Sequence, residues 1–451
     1  MEEITAKQID KYSYPVPRYT SYPTVPHWNS EHITQDIWHQ SLRKNLDGNG
    51  SISIYIHLPF CEQLCTYCGC NKRITKNHAV EARYIDALLK EFKSYLKVLP
   101  FKPTLDELHI GGGTPTFFTP ESLESLLKPI LQALTITPQT AMSFEAHPHF
   151  TTKAHLKCLY NMGFRRLSLG VQDISPIILK AINRTQNSAE VMDLTESARQ
   201  IGYNSIGYDL IYGLPFQTIR EIDNTLQFVA SQRPDRIAYY SYAHVPWKSK
   251  SQRAYSLDDL LTGYDKYRLK SHLDRSLKFY GYKAVGMDHY GLDTDELVIA
   301  QSSRKLHRNF MGYTDKKPNL LIGLGCSAIS ESQDLYVQNE KNVEAYETRV
   351  HADGSAIVKG HCLTEEERKM KKHITELFCL GQTFWSIEDI ENKSVDLKNP
   401  QLVSFEEEGL IYITKNGIRL KGNGMFFIRN ICAALDTKFQ KSPKAQFSQS
   451  I

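Results

Sequence analysis

The stretch "SISIYIHLPFCEQLCTYCGCNK", residues 51–72, decides the fold. Its first eight residues are rich in β-branched side chains in an alternating pattern, which predicts a strand. Four cysteines follow within the next twelve residues: Cys61, Cys65, Cys68 and Cys70. A thiol-rich loop that directly follows a strand lies at the edge of the sheet where α/β barrels hold their chemistry.

Beyond this strand, short apolar runs alternate with helical stretches. The predicted strands are 51–58, 105–113, 141–148, 164–172, 205–215 and 236–246, and the predicted helices are 79–98, 119–134, 151–163, 188–202, 218–231 and 256–280. Strands that alternate with helices pair in parallel through right-handed crossovers. Because the strands are mostly apolar, helices should cover both faces of the sheet. We therefore predict an α/β fold built on an incomplete (β/α)6-type TIM-like barrel.

The pattern changes after about residue 300, which suggests four regions. An N-terminal extension (1–50) should cover the barrel mouth, and the barrel core should span 51–300. Residues 301–362 should form a barrel extension and active-site loops, with a loop-like stretch at 306–330. A mostly helical C-terminal domain should occupy 363–451.

The composition excludes several classes of protein. The chain has 451 residues, 23% of them charged, and a net charge of +4, which is too weak to indicate nucleic-acid binding. The sequence has no signal peptide and no apolar run long enough to span a membrane, so we expect a cytoplasmic protein. Nine cysteines in a reducing compartment are not a disulfide framework.

The cysteine cluster has the spacing C-x3-C-x2-C-x-C. Structural zinc sites usually combine two pairs of ligands from separate parts of the chain, and no second C-x2-C pair exists here. Several thiolates in one tight loop are typical of iron–sulfur clusters. An iron–sulfur cluster is thus favoured, and a zinc-binding interaction module remains the alternative.

The thiol loop resembles the signature of the radical S-adenosylmethionine superfamily, which has C-x3-C-x2-C with an aromatic residue before the third cysteine. The resemblance implies that Cys61, Cys65 and Cys68 bind three irons of a 4Fe–4S cluster. It also implies that the fourth iron stays open for S-adenosylmethionine, whose cleavage gives a 5′-deoxyadenosyl radical. In such enzymes the cofactor carries out the difficult step and the protein positions the reactants.

Further motifs resemble one family within that superfamily, the oxygen-independent coproporphyrinogen III oxidases (coproporphyrinogen dehydrogenases). They are "PRYTSYPT" (17–24), "GGGTPT" (111–116), "RLSLGVQ" (166–172), "DLIYGLP" (209–215), "YAHVP" (242–246), "GMDHY" (286–290), "HRNFMGY" (307–313), "GLGCSAIS" (323–330) and "IRNICAALD" (428–436). The resemblance implies oxidative decarboxylation of two propionates of coproporphyrinogen III to vinyl groups. The product would be protoporphyrinogen IX, a precursor of haem, and two S-adenosylmethionines would be consumed.

The resemblance also assigns residues to the methionine cofactor. They are Tyr55, Gly112, Gly113, Thr114, Glu145, Gln172, Arg184, Asp209, Ala243 and Ile329. Gln172 and Asp209 are expected at the C-terminal ends of their strands. Cys70 is not expected to bind the cluster, and we assign it a separate catalytic role. Four basic residues are candidates for binding the propionates of the substrate: Arg18, His289, His307 and Arg308.

One residue departs from the family pattern, because His147 stands where an aspartate is usual. Two related alternatives remain: a haem chaperone of the same superfamily, and a radical enzyme that acts on another tetrapyrrole. Cys70 favours the oxidase over the chaperone, which typically has an aromatic residue there. Other expected partners are an electron donor such as a flavodoxin or ferredoxin system, and we expect a monomer.

Overall fold

The computed structural model describes residues 3–30, 33–46, 50–247, 249–391, 395–441 and 447–451. Its strands are β1 (Ser51–Leu58), β2 (Phe60–Cys61), β3 (Arg73–Ile74), β4 (Thr104–Gly112), β5 (Ala141–Ala146), β6 (Arg166–Gln172), β7 (Ser205–Tyr212), β8 (Arg236–Ser241), β9 (Lys283–Val285), β10 (His289–Gly291), β11 (His307–Asn309), β12 (Gly312–Thr314), β13 (Leu321–Leu324), β14 (Ile329–Glu331), β15 (Leu335–Asn339), β16 (Ile357–Cys362), β17 (Gln382–Phe384), β18 (Ile411–Thr414) and β19 (Gly417–Leu420).

The α-helices are α1 (Ala6–Tyr12), α2 (Gln35–Asn45), α3 (Val80–Leu96), α4 (Pro120–Gln132), α5 (Lys153–Asn161), α6 (Pro176–Ala181), α7 (Ser188–Ile201), α8 (Ile219–Gln232), α9 (Gly263–Phe279), α10 (Glu296–Ser302), α11 (Val343–Asp353), α12 (Glu365–Leu380), α13 (Ile387–Glu391), α14 (Pro400–Glu407), α15 (Ile428–Leu435) and α16 (Thr437–Lys441). Among the described residues, no helix has the length and apolar character needed to cross a bilayer.

Strands β1, β4, β5, β6, β7 and β8 pair in parallel, in that order, within a twelve-stranded sheet. The sheet ends at β16 on one side and at β9 on the other, so the barrel stays open. The predicted α/β fold with an incomplete barrel is confirmed. The helices of the barrel begin where the sequence indicates. For example, the Thr119 side chain accepts a hydrogen bond from the Ser122 amide and caps α4.

The stretch 306–330 differs from the loop-like prediction. It contains the hairpin β11–β12 and the strands β13 and β14. Strand β13 pairs in parallel with β1 on the side opposite β4, and β14 to β16 continue the sheet in antiparallel pairs. Strands of three or four residues give too short an apolar pattern to stand out in the sequence. Two other predicted elements are shorter than expected, since β8 ends at Ser241 and α9 begins at Gly263.

The two ends of the chain share one hydrophobic core, separate from the barrel core. Ile9 and Tyr12 of the N-terminal extension belong to the same buried cluster as Leu377, Phe427 and Ile431 of the C-terminal region. This region holds helices α12 to α16 and the small sheet β17–β19–β18. The division into four regions stays a prediction, and residues 47–49, beside its first boundary, lie outside the described residues.

Candidate active site

The cysteine loop leaves the C-terminal end of β1 and returns to the same place. Strands β2 and β3 pair in parallel across its base. The Arg73 amide donates a hydrogen bond to the Pro59 carbonyl at 2.8 Å, and the Thr75 amide donates to the Cys61 carbonyl at 2.9 Å. The backbone therefore closes the loop and holds its thiols over the mouth of the barrel, as the sequence predicts.

The first two thiols lie in different surroundings. Cys61 is buried, and its sulfur accepts a hydrogen bond from Thr114 Oγ1 at 3.4 Å. Cys65 is half-buried, and its sulfur lies 3.4 Å from Arg184 Nη1, which also donates to the Tyr67 hydroxyl at 3.2 Å. Arg184, predicted to contact the methionine cofactor, is thus directed at the cysteine loop.

The other two thiols interact with each other. A hydrogen bond from Cys70 lowers the pKa of Cys68 to about 6, with nearby Lys72 acting in the same direction against burial. Lys72 Nζ also donates to the carbonyls of Cys68 and Cys70, at 3.1 and 3.4 Å. In the part of the chain that the structure describes, no three His, Cys, Asp or Glu side chains are grouped to hold one metal ion.

The glycines after β4 allow three segments to meet closely. A Cβ on Gly111 would lie 2.8 Å from Glu145 Oε1, and one on Gly113 would lie 2.6 Å from the Pro59 backbone. Gly112 has a φ of +117°, and a Cβ there would lie 2.8 Å from the His57 ring. The positive φ at Gly112 and the Pro59 backbone beside Gly113 therefore require glycine, whereas a side chain at Gly111 would displace the Glu145 carboxylate.

Glu145 stands at the end of β5, with its side chain 42% exposed in a concave site. The Gly112 amide donates to Glu145 Oε2 at 3.2 Å, and His109 Nε2 lies 3.5 Å from Oε1. Burial raises the pKa of this carboxyl, but the bonds from His109 and Gly112 outweigh it and hold the pKa below its usual value. A carboxylate has about four acceptor positions, so this one keeps capacity for hydroxyl groups of a ligand.

Tyr55 connects β1 to the cysteine loop and to the Glu145 site. Its hydroxyl lies 3.0 Å from His57 Nδ1, and His57 Nε2 lies 2.9 Å from the Asn71 carbonyl. Because that carbonyl only accepts, Nε2 carries the proton and Nδ1 accepts from Tyr55. The Tyr55 ring stacks on His109 with an interplanar angle of 18°. The phenol is thus fixed in one orientation at the mouth.

Asp209 lies inside β7, three residues before its end, and not at the strand end as predicted. Ser168 Oγ donates to its carboxylate at 3.0 Å. Burial, and then the neighbouring Glu145, raises the pKa of Asp209 to about 6. Both carboxylates line a cavity of about 130 Å³ in the barrel interior. At about 30 Å³ per water, this space holds a few water molecules and no tetrapyrrole.

The remaining cofactor candidates lie at the same end of the sheet. Gln172 ends β6 as predicted, with a φ of +66°, where the register against β7 shifts. Ala243 follows β8, and its carbonyl accepts from Gln252 Nε2 at 3.2 Å. Ile329 begins β14 close to Gly323, which pairs with Tyr55. These three residues and Tyr55 therefore border the mouth, and their contacts with a cofactor stay a prediction.

Comparisons with known proteins agree with this architecture. The model of the radical SAM superfamily matches residues 55–229. The chain is 35% identical to oxygen-independent coproporphyrinogen III oxidase of Pseudomonas aeruginosa, covering 99% of this chain and 98% of that protein. It is 35% identical to the protein of the same name from Escherichia coli K12, covering 98% and 97%. A solved structure of the E. coli radical SAM enzyme coproporphyrinogen III oxidase (HemN) superposes with a TM-score of 0.87 at 34% identity, covering 93% of this chain and 97% of that one.

The chain belongs to the oxygen-independent coproporphyrinogen III oxidase family. As a radical SAM protein it uses a 4Fe–4S cluster and S-adenosylmethionine, and the residues present fit both groups. The thiols of Cys61, Cys65 and Cys68 share one loop, with cationic Arg184 and Lys72 beside them to offset the charge of thiolates.

Of the four substrate candidates, His289 contacts Asp288, and the charges of Arg308 and Arg18 act on the same carboxyl. His289 Nδ1 forms a hydrogen bond with Asp288 Oδ1 at 2.8 Å. Burial raises the pKa of Asp288, but His289, and then Arg308 and Arg18, outweigh it and hold the pKa below its usual value. Arg18 also reaches the Ser241 carbonyl, just past the end of β8, at 3.0 Å. The sequence did not single out this aspartate.

His307 is separated from the other substrate candidates. Alternation along β11 directs Arg308 towards the N-terminal extension, where Nη1 donates to the Arg18 and Tyr19 carbonyls at 2.9 Å. His307 points to the opposite face of β11 and borders another cavity. A role for His307 in substrate binding stays a prediction, and this geometry does not favour it.

Lys266 is a further residue that the sequence did not single out. This buried lysine of α9 donates to the Tyr242 carbonyl at 2.9 Å, just beyond β8. Burial, and then the nearby cations Arg18 and Arg429, lower its pKa to about 7. No carboxylate among the described residues pairs with it. A signal did exist, because Lys266 shares the buried stripe of α9 with Leu269 and other apolar residues.

Proposed function

We propose that the protein is an oxidoreductase that converts coproporphyrinogen III to protoporphyrinogen IX in haem biosynthesis without oxygen. Two propionate side chains would each lose a β-hydrogen atom to a 5′-deoxyadenosyl radical, their carboxylate as CO2 and one electron to an electron acceptor, and so become vinyl groups, with two S-adenosylmethionines consumed. The observation that carries the proposal is the end-to-end similarity, at 35% identity, to proteins with this name.

Cleavage of an unactivated C–H bond requires a primary carbon radical, which acid–base groups do not provide. The cofactors would supply that radical. Cys61, Cys65 and Cys68 would hold the cluster. Glu145, with its ionised carboxylate and free acceptor positions, would orient the ribose hydroxyls of S-adenosylmethionine. The other residues predicted to contact the cofactor would complete the site: Gly112, Gly113, Thr114, Tyr55, Gln172, Arg184, Asp209, Ala243 and Ile329.

The chain's own charges support an acidic substrate. Arg18 and His289 lie near the strand ends at the mouth, and Lys266 adds a buried amine, with a pKa of about 7, that has no carboxylate partner among the described residues. A substrate with four propionates would supply the missing negative charge, and a buried unpaired cation binds a carboxylate more strongly than an exposed one does. The narrow interior excludes the macrocycle, so it would bind above the barrel, under the N-terminal extension.

The decisive experiment is anaerobic incubation of the reconstituted protein with coproporphyrinogen III, a reductant and S-adenosylmethionine. We expect protoporphyrinogen IX with about two 5′-deoxyadenosines per molecule of product. 5′-Deoxyadenosine without a vinyl product would indicate another tetrapyrrole as substrate. Stable haem binding without cleavage of S-adenosylmethionine would indicate a haem chaperone, and colourless protein with stoichiometric zinc would indicate a zinc module.

We propose that Cys70 acts in the reaction without binding the cluster. Its thiol is exposed at the mouth and bonds the neighbouring Cys68. Cys70→Ser is expected to keep the cluster and its absorption spectrum while product formation falls about 100-fold or more. Cys158→Ser, at a half-buried thiol outside the loop, is the matched control. Loss of the cluster in Cys70→Ser would instead make Cys70 a ligand.

The cellular setting completes the proposal. A loop of free thiols and an oxygen-sensitive cluster suit the reducing cytoplasm. The electron for the cluster would come from a flavodoxin or ferredoxin system. The sequence contains no heptad repeat, which supports a monomer. Light scattering of the purified protein tests the monomer, and reduction of the cluster by each candidate donor tests the donor.

A further inference from the structure

A second cavity, of about 700 Å³, lies away from the mouth. It is bordered by the segment 304–319, the start of β13 and helix α12. Leu321, on its wall, is paired with Ser53 near the N-terminal end of β1, whereas the cysteine loop follows the other end of that strand. Five residues of strand separate Ser53 from the end of β1, which is roughly 15 Å. The cavity is therefore distinct from the proposed active site.

The rim of this cavity is rich in unpaired positive charge. Six cationic and three acidic side chains border it. Lys371 is paired with Glu331 at 2.6 Å, and Lys372 lies 3.8 Å from Glu376. The side chains of Arg304, Lys305 and Lys317 form no ion pair or hydrogen bond with any described residue.

The floor of the cavity is apolar. Leu306 and Leu321 are buried there, and Pro318 and Leu380 are half-buried beside them. A cavity of several hundred Å³ that combines an apolar floor with a few placed polar groups has the character of a small-molecule site. Cations confined to the rim favour a ligand whose body is apolar and whose ends are anionic.

His307 supplies a polar group inside the cavity. Its side chain makes no hydrogen bond to any described residue. Burial lowers the pKa of His307 to about 4 against the opposing charge of Glu331, with Lys317 and Lys371 adding to the decrease, so the ring is neutral. A neutral imidazole offers one N–H donor and one acceptor, and buried polar groups normally have partners. This ring therefore has unused capacity directed at the cavity.

We propose that this cavity is a binding site for a small amphipathic polyanion, an apolar body that carries two or more carboxylates or phosphates. Arg304 and Lys317 bind the anionic groups, the leucines contact the apolar body, and His307 forms a hydrogen bond with the ligand. Nucleotides and carboxylated tetrapyrroles both have this chemistry. The site is independent of the proposed reaction, since it shares no residue with the mouth.

The test is calorimetric titration of the purified full-length protein with ATP, with coproporphyrin III and with inorganic pyrophosphate. We expect one of the first two to bind with a stoichiometry near one. R304E/K317E is expected to weaken that binding about tenfold or more, because two attractive charges become repulsive. His307→Leu keeps the charges and is expected to weaken it severalfold through loss of the hydrogen bond. The ligand whose binding R304E/K317E weakens shows whether the site takes a nucleotide or a carboxylated tetrapyrrole.

K102E/K415E is the matched control, since it makes the same charge change at two exposed lysines outside the cavity. Binding in this control is expected within twofold of the original protein. Thermal melts of all variants establish that they are folded. The proposal is overturned if neither ATP nor coproporphyrin III binds, or if R304E/K317E and the control respond equally. It is also overturned if pyrophosphate binds as tightly as the better of the two amphipathic ligands.

Discussion

Two carboxylates near the barrel, Glu91 and Glu145, differ in their hydrogen-bond partners and in their exposure. Glu91 is fully buried in α3 and accepts four hydrogen bonds. The donors are Tyr95 Oη at 3.1 Å, the Gly325 amide at 2.9 Å, Asn339 Nδ2 at 2.6 Å and Tyr346 Oη at 2.7 Å. Glu145 has two protein partners and opens to the mouth with a side chain 42% exposed.

The comparison separates a structural acid from a ligand-binding acid. The partners of Glu91 use its acceptor capacity and join α3 to the segment after β13, to β15 and to α11. Glu145 keeps free acceptor positions at the point where a ligand arrives. The number of protein donors and the exposure of the side chain distinguish the two residues.

Glu91→Ala is expected to have the largest effect on stability. It leaves four buried donors without an acceptor, which should reduce the free energy of unfolding by about 4 kcal/mol. The midpoint of urea unfolding, followed by circular dichroism, measures the loss. Asp86→Ala, at an exposed position of the same helix, is the control and should change stability by under about 1 kcal/mol. An equal effect of the two substitutions would contradict the structural role.

The pH dependence of stability should have opposite signs for the two acids. Burial raises the pKa of Glu91 from 4.5 to about 7, so the folded state binds a proton that the unfolded state has released. Between these pH values, the contribution of Glu91 to stability should fall as pH rises, by about 3 kcal/mol in all. The pKa of Glu145 is lowered, so its contribution is present above pH 4.5 and is lost as pH falls through its folded pKa.

Urea midpoints from about pH 3 to pH 8 for the original protein, Glu91→Gln and Glu145→Gln test these signs, because the Glu145 effect lies below pH 4.5 and the Glu91 effect above it. The difference between the original protein and Glu91→Gln should shrink as pH rises. A difference that stays constant would show that Glu91 has the same pKa in the folded and unfolded states.

Glu145→Gln should affect function more than stability. We expect S-adenosylmethionine binding by the reconstituted protein to weaken about 100-fold, because the ionised acceptor for hydroxyl groups is lost. The free energy of unfolding at pH 8, measured by urea unfolding, should change by under about 1 kcal/mol. Equilibrium dialysis measures the binding, with Glu124→Gln on the exposed face of α4 as control. Unchanged binding with lower stability would give Glu145 the same role as Glu91.

His147→Asp should have the smallest effect. His147 is buried and forms no hydrogen bond with Glu145; its Nδ1 accepts from the His149 amide at 3.1 Å. An aspartate at this position also accepts a bond from a backbone amide two residues on, so the turn should persist. Product formation is expected within about threefold of the original protein. An inactive variant would show that the site depends on the imidazole.

The sequence predicted much of this molecule because its signals are local. Strand–helix alternation gave the parallel barrel order, and the spacing of Cys61, Cys65 and Cys68 gave the thiol loop at its mouth. Such features depend on neighbouring residues and on periodicity, which a single chain displays directly.

Other features depended on contacts between distant parts of the chain. Three of the four donors to Glu91 lie far from it in sequence: Gly325, Asn339 and Tyr346. Arg18, likewise far from Asp288 in sequence, helps to lower the pKa of that carboxyl. The pKa values follow from burial and from neighbouring charges, which only the folded chain brings together. The sequence by itself therefore determined the barrel and the cysteine loop. The tertiary structure decided which carboxylates and cations remain free to bind a ligand.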